Sequence, residues 1–318
     1  MSTSVPPHSL PAQAWGDSYW GYGQNGFDKT SCKAAFDACT AAGLTFLDSA
    51  EVYGFGVSEQ LTGEFVRGAG AADFQVASKM APLPWRFTRQ NVTAACRASL
   101  GRLGLPKMAL YIQHWPGAFT NGWANDAFLE GLADCVDAGL TQTVGVSNFS
   151  AVRVRGAVAA LAKRGHVLSS NQVQYSLLYR QPEANGVLAA CQENGVTLVA
   201  YSPLAQGLLT GKYKVGGEAV TGPRSAVFSD EKLRKIEPLV GLLRELGAAR
   251  GGKTPGQVSL NWLLCKGVLP IPGVKSASQA TEVAGALGWR LTAEEVRALD
   301  VASGKLGNVA FGAPFETF

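Results

Sequence analysis

Short strand-like runs that recur along the chain constrain its fold more than any other feature. Each run is bounded by turn residues and is separated from the next by a segment with helical patterning. Seven runs are clear, at residues 44–48, 74–78, 109–113, 143–146, 170–174, 196–200 and 268–271. Strands that alternate with crossover helices form a parallel sheet that is buried on both faces. The pattern therefore predicts an α/β fold.

Closing such a sheet into a barrel requires an eighth strand, for which residues 14–16 are the best candidate. With that strand, the pattern predicts a single-domain (β/α)8 TIM barrel over residues 1–318, in which 1–13 are irregular and 304–318 form a tail. One barrel domain commonly exceeds about 250 residues. An open doubly wound sheet is the alternative, because the pattern of the first strand is weak.

Hydroxyl residues stand before the predicted N-termini of three helices. They are Thr88 before residues 91–103, Ser150 before 152–163, and Thr254, with Pro255, before 257–266. Serine and threonine cap helices with their side-chain oxygen, and proline fits the first helical position. Two long stretches, 204–228 and 304–318, break the alternation. Loops of this length are usually functional lids or disordered segments, and we expect these two at the C-terminal face of the barrel.

Composition and charge exclude several classes of protein. The chain has 47% hydrophobic and 16% charged residues, which is typical of a globular protein and not of a disordered one. Its net charge of +4 arises from 28 basic and 24 acidic residues without a basic patch, so nucleic acid is not an expected partner. No apolar run reaches the ~18 residues of a membrane helix, so a membrane is not expected either. A monomer is the default expectation.

Cysteine spacing and the first residues bear on the compartment. The six cysteines form no CxxC pair, so we expect reduced thiols in the core. The N-terminus lacks the apolar segment of a secretory signal, which favours a cytoplasmic location. Residues 1–13 contain serine and proline and no acidic residue, so an organelle such as a plastid remains an alternative. No metal-ligand spacing occurs, and no metal is predicted.

Polar residues follow the predicted strands at the end where a parallel barrel places its active site. They are Asp48 with Tyr53, Lys79, His114, Ser147 with Asn148, Gln172, and Tyr201. A tyrosine hydroxyl has a pKa of about 10, and an adjacent ammonium favours its ionised form. Lys79 can supply this charge, Asp48 can hold Lys79, and His114 can orient a carbonyl oxygen. These groups predict general-acid catalysis of a carbonyl reduction, which also needs a hydride donor.

Each residue of this set also has an ordinary structural explanation. Taken alone, Tyr53 is a rim aromatic, Lys79 a strand-end charge, Asp48 a helix cap and His114 a core histidine. Their joint occurrence at successive strand ends favours the catalytic interpretation. Residues 21–26 read GxGxxG, which is typical of a dinucleotide-binding turn, but no apolar strand precedes them. We interpret this segment as a substrate-side loop.

Three segments carry a resemblance to a known family. Residues 47–54, which read LDSAEVYG, followed by Ser78-Lys79 and Gln113-His114-Trp115, resemble the aldo-keto reductases. Within that family, residues 201–213 and 285–289 are most similar to plant pyridoxal reductase-like members and potassium-channel β-subunits. The resemblance implies that Tyr53 donates the proton, that Lys79 and Asp48 tune it, and that His114 orients the carbonyl.

The same resemblance implies NADPH as cofactor and assigns residues to each part of it. Ser147, Asn148, Gln172 and Tyr201 correspond to contacts with the nicotinamide, although Ser147 has an alternative role as a helix cap. Gln206, Gly207 and Lys212 belong to the segment 205–212, which resembles the loop that covers the pyrophosphate, and Ser202 and Leu204 just before it are also implied to bind the cofactor. Gly273, Lys275, Gln279 and Glu282 correspond to the site of the adenosine 2′-phosphate and adenine. A cation at Lys275 suits a phosphate and favours NADPH over NADH.

Aromatic residues near the predicted strand ends suggest the substrate. Phe55, Trp85 and Trp115, with Trp20 as a further candidate, predict an apolar wall for a small carbonyl compound. The sequence therefore predicts an NADPH-dependent reductase of small aldehydes or ketones, with pyridoxal or another aromatic aldehyde as the preferred substrate. The alternative is an NADPH-binding, redox-sensing regulatory subunit with slow turnover.

Overall fold

Eight parallel strands form the centre of the computed structural model, which describes residues 9–11, 15–18, 21–24, 26–118, 120–217, 225–307 and 309. The strands are β1 (Ser9–Pro11), β2 (Phe46–Asp48), β3 (Gln75–Met80), β4 (Met108–Gln113), β5 (Thr141–Ser147), β6 (Leu168–Gln174), β7 (Thr197–Tyr201) and β8 (Leu269–Ile271). Each strand pairs with the next along the chain, and Cα atoms of β1 and β8 approach within 8 Å. The sheet thus curves into the predicted barrel, which is nearly closed between β1 and β8, and the open-sheet alternative is wrong.

The first strand lies earlier in the chain than its pattern predicted. Residues Ser9–Pro11, and not 14–16, pair with β2, with Ser9 opposite Phe46 and Pro11 opposite Asp48. The prediction that residues 1–13 are irregular throughout is therefore also wrong. A strand of three residues is too short to show alternation, and proline is tolerated because it stands at the strand end. Closure of the barrel, and not local propensity, defines this strand.

Helices follow the strands around the barrel. They are α1 (Lys29–Ala41), α2 (Val57–Ala69), α3 (Arg89–Leu103), α4 (Asn125–Asp137), α5 (Ala151–Ala162), α6 (Gln181–Ala184), α7 (Val187–Glu193), α8 (Asp230–Ala249), α9 (Pro255–Cys265), α10 (Ala277–Ala284) and α11 (Ala293–Gly304). Short 3₁₀ helices cover Tyr53–Gly56, Ala71–Asp73, Gly122–Ala124, Ala205–Thr210 and Ser225–Phe228. Among the described helices, none combines the length and apolar character needed to cross a membrane.

Two of the three predicted helix caps make their hydrogen bonds. Thr88 accepts a hydrogen bond from the Asn91 amide at 3.3 Å, and Thr254 accepts one from the Gln257 amide at 3.1 Å. Ser150 occupies the N-cap position of α5, but its hydroxyl makes no capping hydrogen bond. All six cysteines lie in helices as free thiols, five of them buried, as predicted.

The side chains of the strands form two apolar layers, one outside and one inside the barrel, and the carboxyl end of the barrel is polar. Leu47, Val76 and Tyr111 belong to the large core between the sheet and the helices. Alternate strand residues such as Phe46 and Ile112 form a separate cluster, because successive side chains point to opposite faces and these fill the barrel interior. At the carboxyl ends of the strands the inward positions become polar, and the candidate site is built there.

Candidate active site

The four predicted catalytic residues meet at the carboxyl end of the barrel. Asp48 ends β2, Lys79 lies near the end of β3, and His114 directly follows β4. Tyr53 begins the 3₁₀ helix that follows β2, and this turn brings its side chain back over the strand ends. Asp48 pairs with Ala77 and Lys79 with Ile112 in the sheet, so neighbouring strands hold these positions in a fixed register.

Hydrogen bonds join the four side chains. The Lys79 ammonium is fully buried and donates to the Asp48 carboxylate, to the Ser49 carbonyl at 2.9 Å and to the Tyr53 hydroxyl at 3.3 Å. The Tyr53 hydroxyl lies 3.4 Å from Nε2 of His114, and the two rings meet edge to face with centroids 5.5 Å apart. The tyrosine hydroxyl is therefore placed between an ammonium and an imidazole nitrogen.

The residues predicted to contact nicotinamide are bonded to this group. Gln172 donates from Nε2 to Asp48 at 3.1 Å, and the Ser147 hydroxyl donates to the Gln172 carbonyl at 2.8 Å. Asn148 donates to the His114 carbonyl at 3.1 Å and accepts from the Tyr201 hydroxyl at 3.0 Å. Since the Ser147 hydroxyl bonds to β6, it does not cap α5.

Burial shifts the pKa values of three residues in the site, and for Tyr53 the shift is opposite to the one that the sequence suggested. We expected Lys79 to favour ionisation of Tyr53, but burial, together with the Asp48 carboxylate, raises the pKa of Tyr53 well above its usual value. Burial also lowers the pKa of Lys79, against the opposing effect of Asp48. Burial and the Lys79 ammonium hold the pKa of His114 well below its usual range. At neutral pH the site thus contains a protonated phenol and a neutral imidazole.

The lowered pKa of His114 has a consequence for stability. Below pH ~6.5 an unfolded chain protonates this histidine and the folded chain does not, so the free energy of unfolding falls as pH decreases. We expect the wild type to lose about 1.4 kcal/mol more than a His114→Gln variant between pH 7.5 and 5.5. Urea unfolding of both proteins at the two pH values measures this. Equal losses would contradict a neutral buried His114.

The segment predicted to cover the pyrophosphate has an unusual backbone. Among the described residues, five non-glycine positions have positive φ: Phe55, Asn148, Ser202, Ala205 and Gln206. Four of the five lie in predicted cofactor-binding stretches, and turns of this kind direct N–H groups toward one side, where they bind anions. The turn that follows β7 contains four of the predicted cofactor-binding residues: Ser202, Leu204, Gln206 and Gly207. The exposed Lys212 follows this turn. Ser202 and Gln206 also line a small cleft with Lys232, which no sequence motif identified.

The residues predicted to hold the adenosine phosphate follow β8. Gly273 is exposed, and the Lys275 amide donates to the Gln279 side chain at 2.7 Å. The Lys275 ammonium lies 4.9 Å from the centre of the Phe27 ring. Glu282 on α10 accepts a hydrogen bond from the Thr254 hydroxyl, so its carboxylate is already engaged within the protein.

The aromatic residues predicted to contact the substrate lie in the loops that follow β2, β3 and β4. Phe55 is 99% and Trp85 67% exposed, whereas the half-buried Trp115 ring lies 4.8 Å from that of His114. Trp20 lies outside the described residues. Sequence reasoning missed Trp123, which is 72% exposed and stacks on Phe87. Its position in the loop after β4 is the signal that would have found it.

A second feature missed from sequence joins the Tyr53 loop to the Trp85 loop. Glu51 accepts two hydrogen bonds from the Arg86 guanidinium and one from the Ala81 amide at 2.7 Å. The side chain of Asn121 donates to the carbonyls of residues 82, 83 and 86 and fixes the same loop. A bidentate pair between two short loops holds them rigidly relative to each other.

Comparisons with known proteins identify the relatives of this chain. The model of the Aldo/keto reductase family matches residues 14–303. Pyridoxal reductase, a chloroplastic protein of Arabidopsis thaliana, is 38% identical over 310 residues, which cover 94% of this chain and 84% of the plant protein. An aldo-keto reductase of Schizosaccharomyces pombe, named with NADP(+), is 34% identical over 275 residues, which cover 80% of this chain and 78% of the yeast protein.

A solved structure extends the comparison to a bound cofactor. An aldo-keto reductase from Klebsiella pneumoniae in complex with NADPH is 27% identical to this chain and matches its fold with a TM-score of 0.73. The match covers 98% of this chain and 94% of the Klebsiella chain. The family resemblance inferred from sequence is thus confirmed, and the chain belongs to the aldo/keto reductase family of oxidoreductases.

Proposed function

We propose that this protein reduces small aldehydes and activated ketones with NADPH, and that pyridoxal-type or other aromatic aldehydes are its preferred substrates. One observation carries the proposal. The Tyr53 hydroxyl lies 3.3 Å from the Lys79 ammonium and 3.4 Å from His114 at the open end of the barrel. A general acid beside a second hydrogen-bond donor is the arrangement that carbonyl reduction needs.

The chain's own residues suit NADPH at three points. The positive-φ turn over Ser202–Gln206 suits a pyrophosphate, and the Lys275 cation suits a 2′-phosphate. The amide groups of Asn148 and Gln172 are hydrogen-bonded to the His114 carbonyl and to Asp48, and in this proposal they lie beside the carboxamide of the nicotinamide. Bound there, NADPH supplies the hydride that the carbonyl carbon accepts.

Tyr53 donates the proton in this proposal, two residues prepare it to do so, and a third orients the carbonyl group. Its raised pKa keeps the phenol protonated across neutral pH, which is the form that a proton donor requires. The Lys79 ammonium stabilises the phenolate that forms as the proton leaves, and Asp48 fixes Lys79 in place. Neutral His114 donates from Nε2 to the substrate's carbonyl oxygen and orients that oxygen between His114 and the Tyr53 hydroxyl.

The aromatic rim and the plant relative support an aromatic substrate. Phe55 and Trp85 have exposed rings in the loops that follow β2 and β3, and Trp115 packs beside His114. Aromatic rings bind flat apolar molecules by stacking and by burying their surface. Pyridoxal reductase of Arabidopsis thaliana, at 38% identity, points to the same class of substrate.

NADPH oxidation followed by absorbance tests this function. The purified protein is assayed with a panel that contains pyridoxal, benzaldehyde, a short aliphatic aldehyde and an unactivated ketone. We expect turnover with aldehydes and the highest kcat/KM with an aromatic one. Tight NADPH binding without turnover on any member would contradict a reductase, and a preference for aliphatic aldehydes would contradict the proposed substrate class.

Replacing Lys275 by methionine tests the assignment of the 2′-phosphate. Loss of a charged hydrogen-bond donor is expected to raise the Kd for NADPH about tenfold and to leave the Kd for NADH unchanged. Fluorescence titration with each cofactor measures both constants. Lys235→Met, which removes an exposed lysine on α8, serves as the control. An equal change for the two cofactors would place the phosphate elsewhere.

A further inference from the structure

The loop between β1 and α1 reaches the segment that follows β8. The Trp15 indole donates to the Val274 carbonyl at 2.9 Å, directly before Lys275. Farther along the same loop, the Phe27 ring centre lies 4.9 Å from the Lys275 ammonium. The loop therefore contacts both the backbone and the side chain of the predicted phosphate site.

A tight turn holds the Phe27 ring in this position. The Gly23 amide donates to the Phe27 carbonyl at 2.7 Å, and the Phe27 amide donates to the Gln24 carbonyl at 2.9 Å. The Tyr22 ring meets the Phe27 ring edge to face at 5.6 Å. These contacts fix the half-buried Phe27 ring independently of Lys275.

The turn also explains the GxGxxG pattern of this segment. Gly21, Gly23 and Gly26 all have positive φ, a conformation that residues with a Cβ rarely adopt. These glycines belong to the turn that ends at Phe27, and the residues described between β1 and Gly21, which are 15–18, form no strand of the kind that a dinucleotide-binding turn requires. Their conformation serves the placement of an aromatic ring.

From these contacts we propose that Phe27 is a specificity-determining residue that positions the Lys275 ammonium for the 2′-phosphate of NADPH. The inference depends on the proposed function, in which Lys275 binds that phosphate. A lysine side chain is flexible, and a phosphate that binds it must restrict its rotamers. An ammonium attracted to the face of a fixed aromatic ring is restricted beforehand, so less affinity is lost on binding.

Two substitutions of Phe27 distinguish the effect of its aromatic ring face on cofactor affinity from the effect of its apolar packing. Phe27→Leu keeps an apolar side chain but removes the π face, and Phe27→Tyr keeps the face. We expect Phe27→Leu to raise the Kd for NADPH about threefold to tenfold with the Kd for NADH unchanged, and Phe27→Tyr to resemble the wild type. If Phe27→Leu does not fold, the similarly large Phe27→Met replaces it. Phe74→Leu, at a half-buried phenylalanine that stacks on Phe36 of α1, is the matched control.

A double-mutant cycle completes the test. In a Lys275→Met background, Phe27→Leu is expected to have no further effect on the affinity ratio of NADPH to NADH. The inference is overturned if Phe27→Leu leaves that ratio unchanged, lowers both affinities equally, or improves NADPH binding. If Lys275→Met itself leaves the ratio unchanged, the assignment of the 2′-phosphate to Lys275 fails as well. If Lys275→Met changes the ratio and Phe27→Leu does not, only the positioning role of Phe27 is rejected.

Discussion

Tyr53→Phe is expected to lower kcat by about 10²- to 10⁴-fold while the Kd for NADPH stays within about twofold of the wild type. The substitution removes one oxygen, which is the atom that Lys79 and His114 contact. The ring and its buried position are kept, so folding is preserved. Single-turnover oxidation of NADPH measures the chemical step directly, and fluorescence titration measures binding.

The Tyr53 prediction has a matched control. Tyr111→Phe removes the hydroxyl of a second buried tyrosine, which lies on β4 and faces the helices. Its hydroxyl has no hydrogen-bond partner among the described residues, so turnover is expected to stay near the wild-type value. Unchanged turnover in Tyr53→Phe would reject Tyr53 as the proton donor.

Lys79→Met is expected to abolish turnover and to lower the free energy of unfolding by about 3–5 kcal/mol. The Lys79 and Asp48 side chains are 0% and 1% exposed, so removal of the ammonium leaves a buried carboxylate without its ionic partner. Gln172 alone among the described side chains would still donate to Asp48. Urea unfolding measures the loss, and activity is assayed at a temperature where the variant stays folded.

A double variant separates the structural from the catalytic effect of Lys79. Lys79→Met combined with Asp48→Asn removes both charges, so much of the lost stability is expected to return while turnover stays absent. If the single variant were as stable as the wild type, the pair would contribute little to folding. If the double variant regained activity, Lys79 and Asp48 would have no part in catalysis.

The sequence predicted seven of the eight strands and the residues at their ends, because these features are local. Apolar runs between turn residues identify a buried strand without reference to the rest of the chain, as for β4 and β7. In a parallel barrel, the residue after each run lies at the same edge as its neighbours, so Asp48, Lys79 and His114 could be grouped in advance. Their catalytic and cofactor roles stay predictions for the experiments above.

Tertiary structure decided what depends on distant neighbours. β1 has too short a pattern to be recognised, and its pairing with β2 defines it. Burial raises the pKa of Tyr53. Burial depends on every element that packs around the side chain, so the direction of this shift could not be predicted from the nearby Lys79 alone. Phe27 and Lys275 lie near opposite ends of the chain, and barrel closure brings them together, because it places the loop after β1 beside the loop after β8.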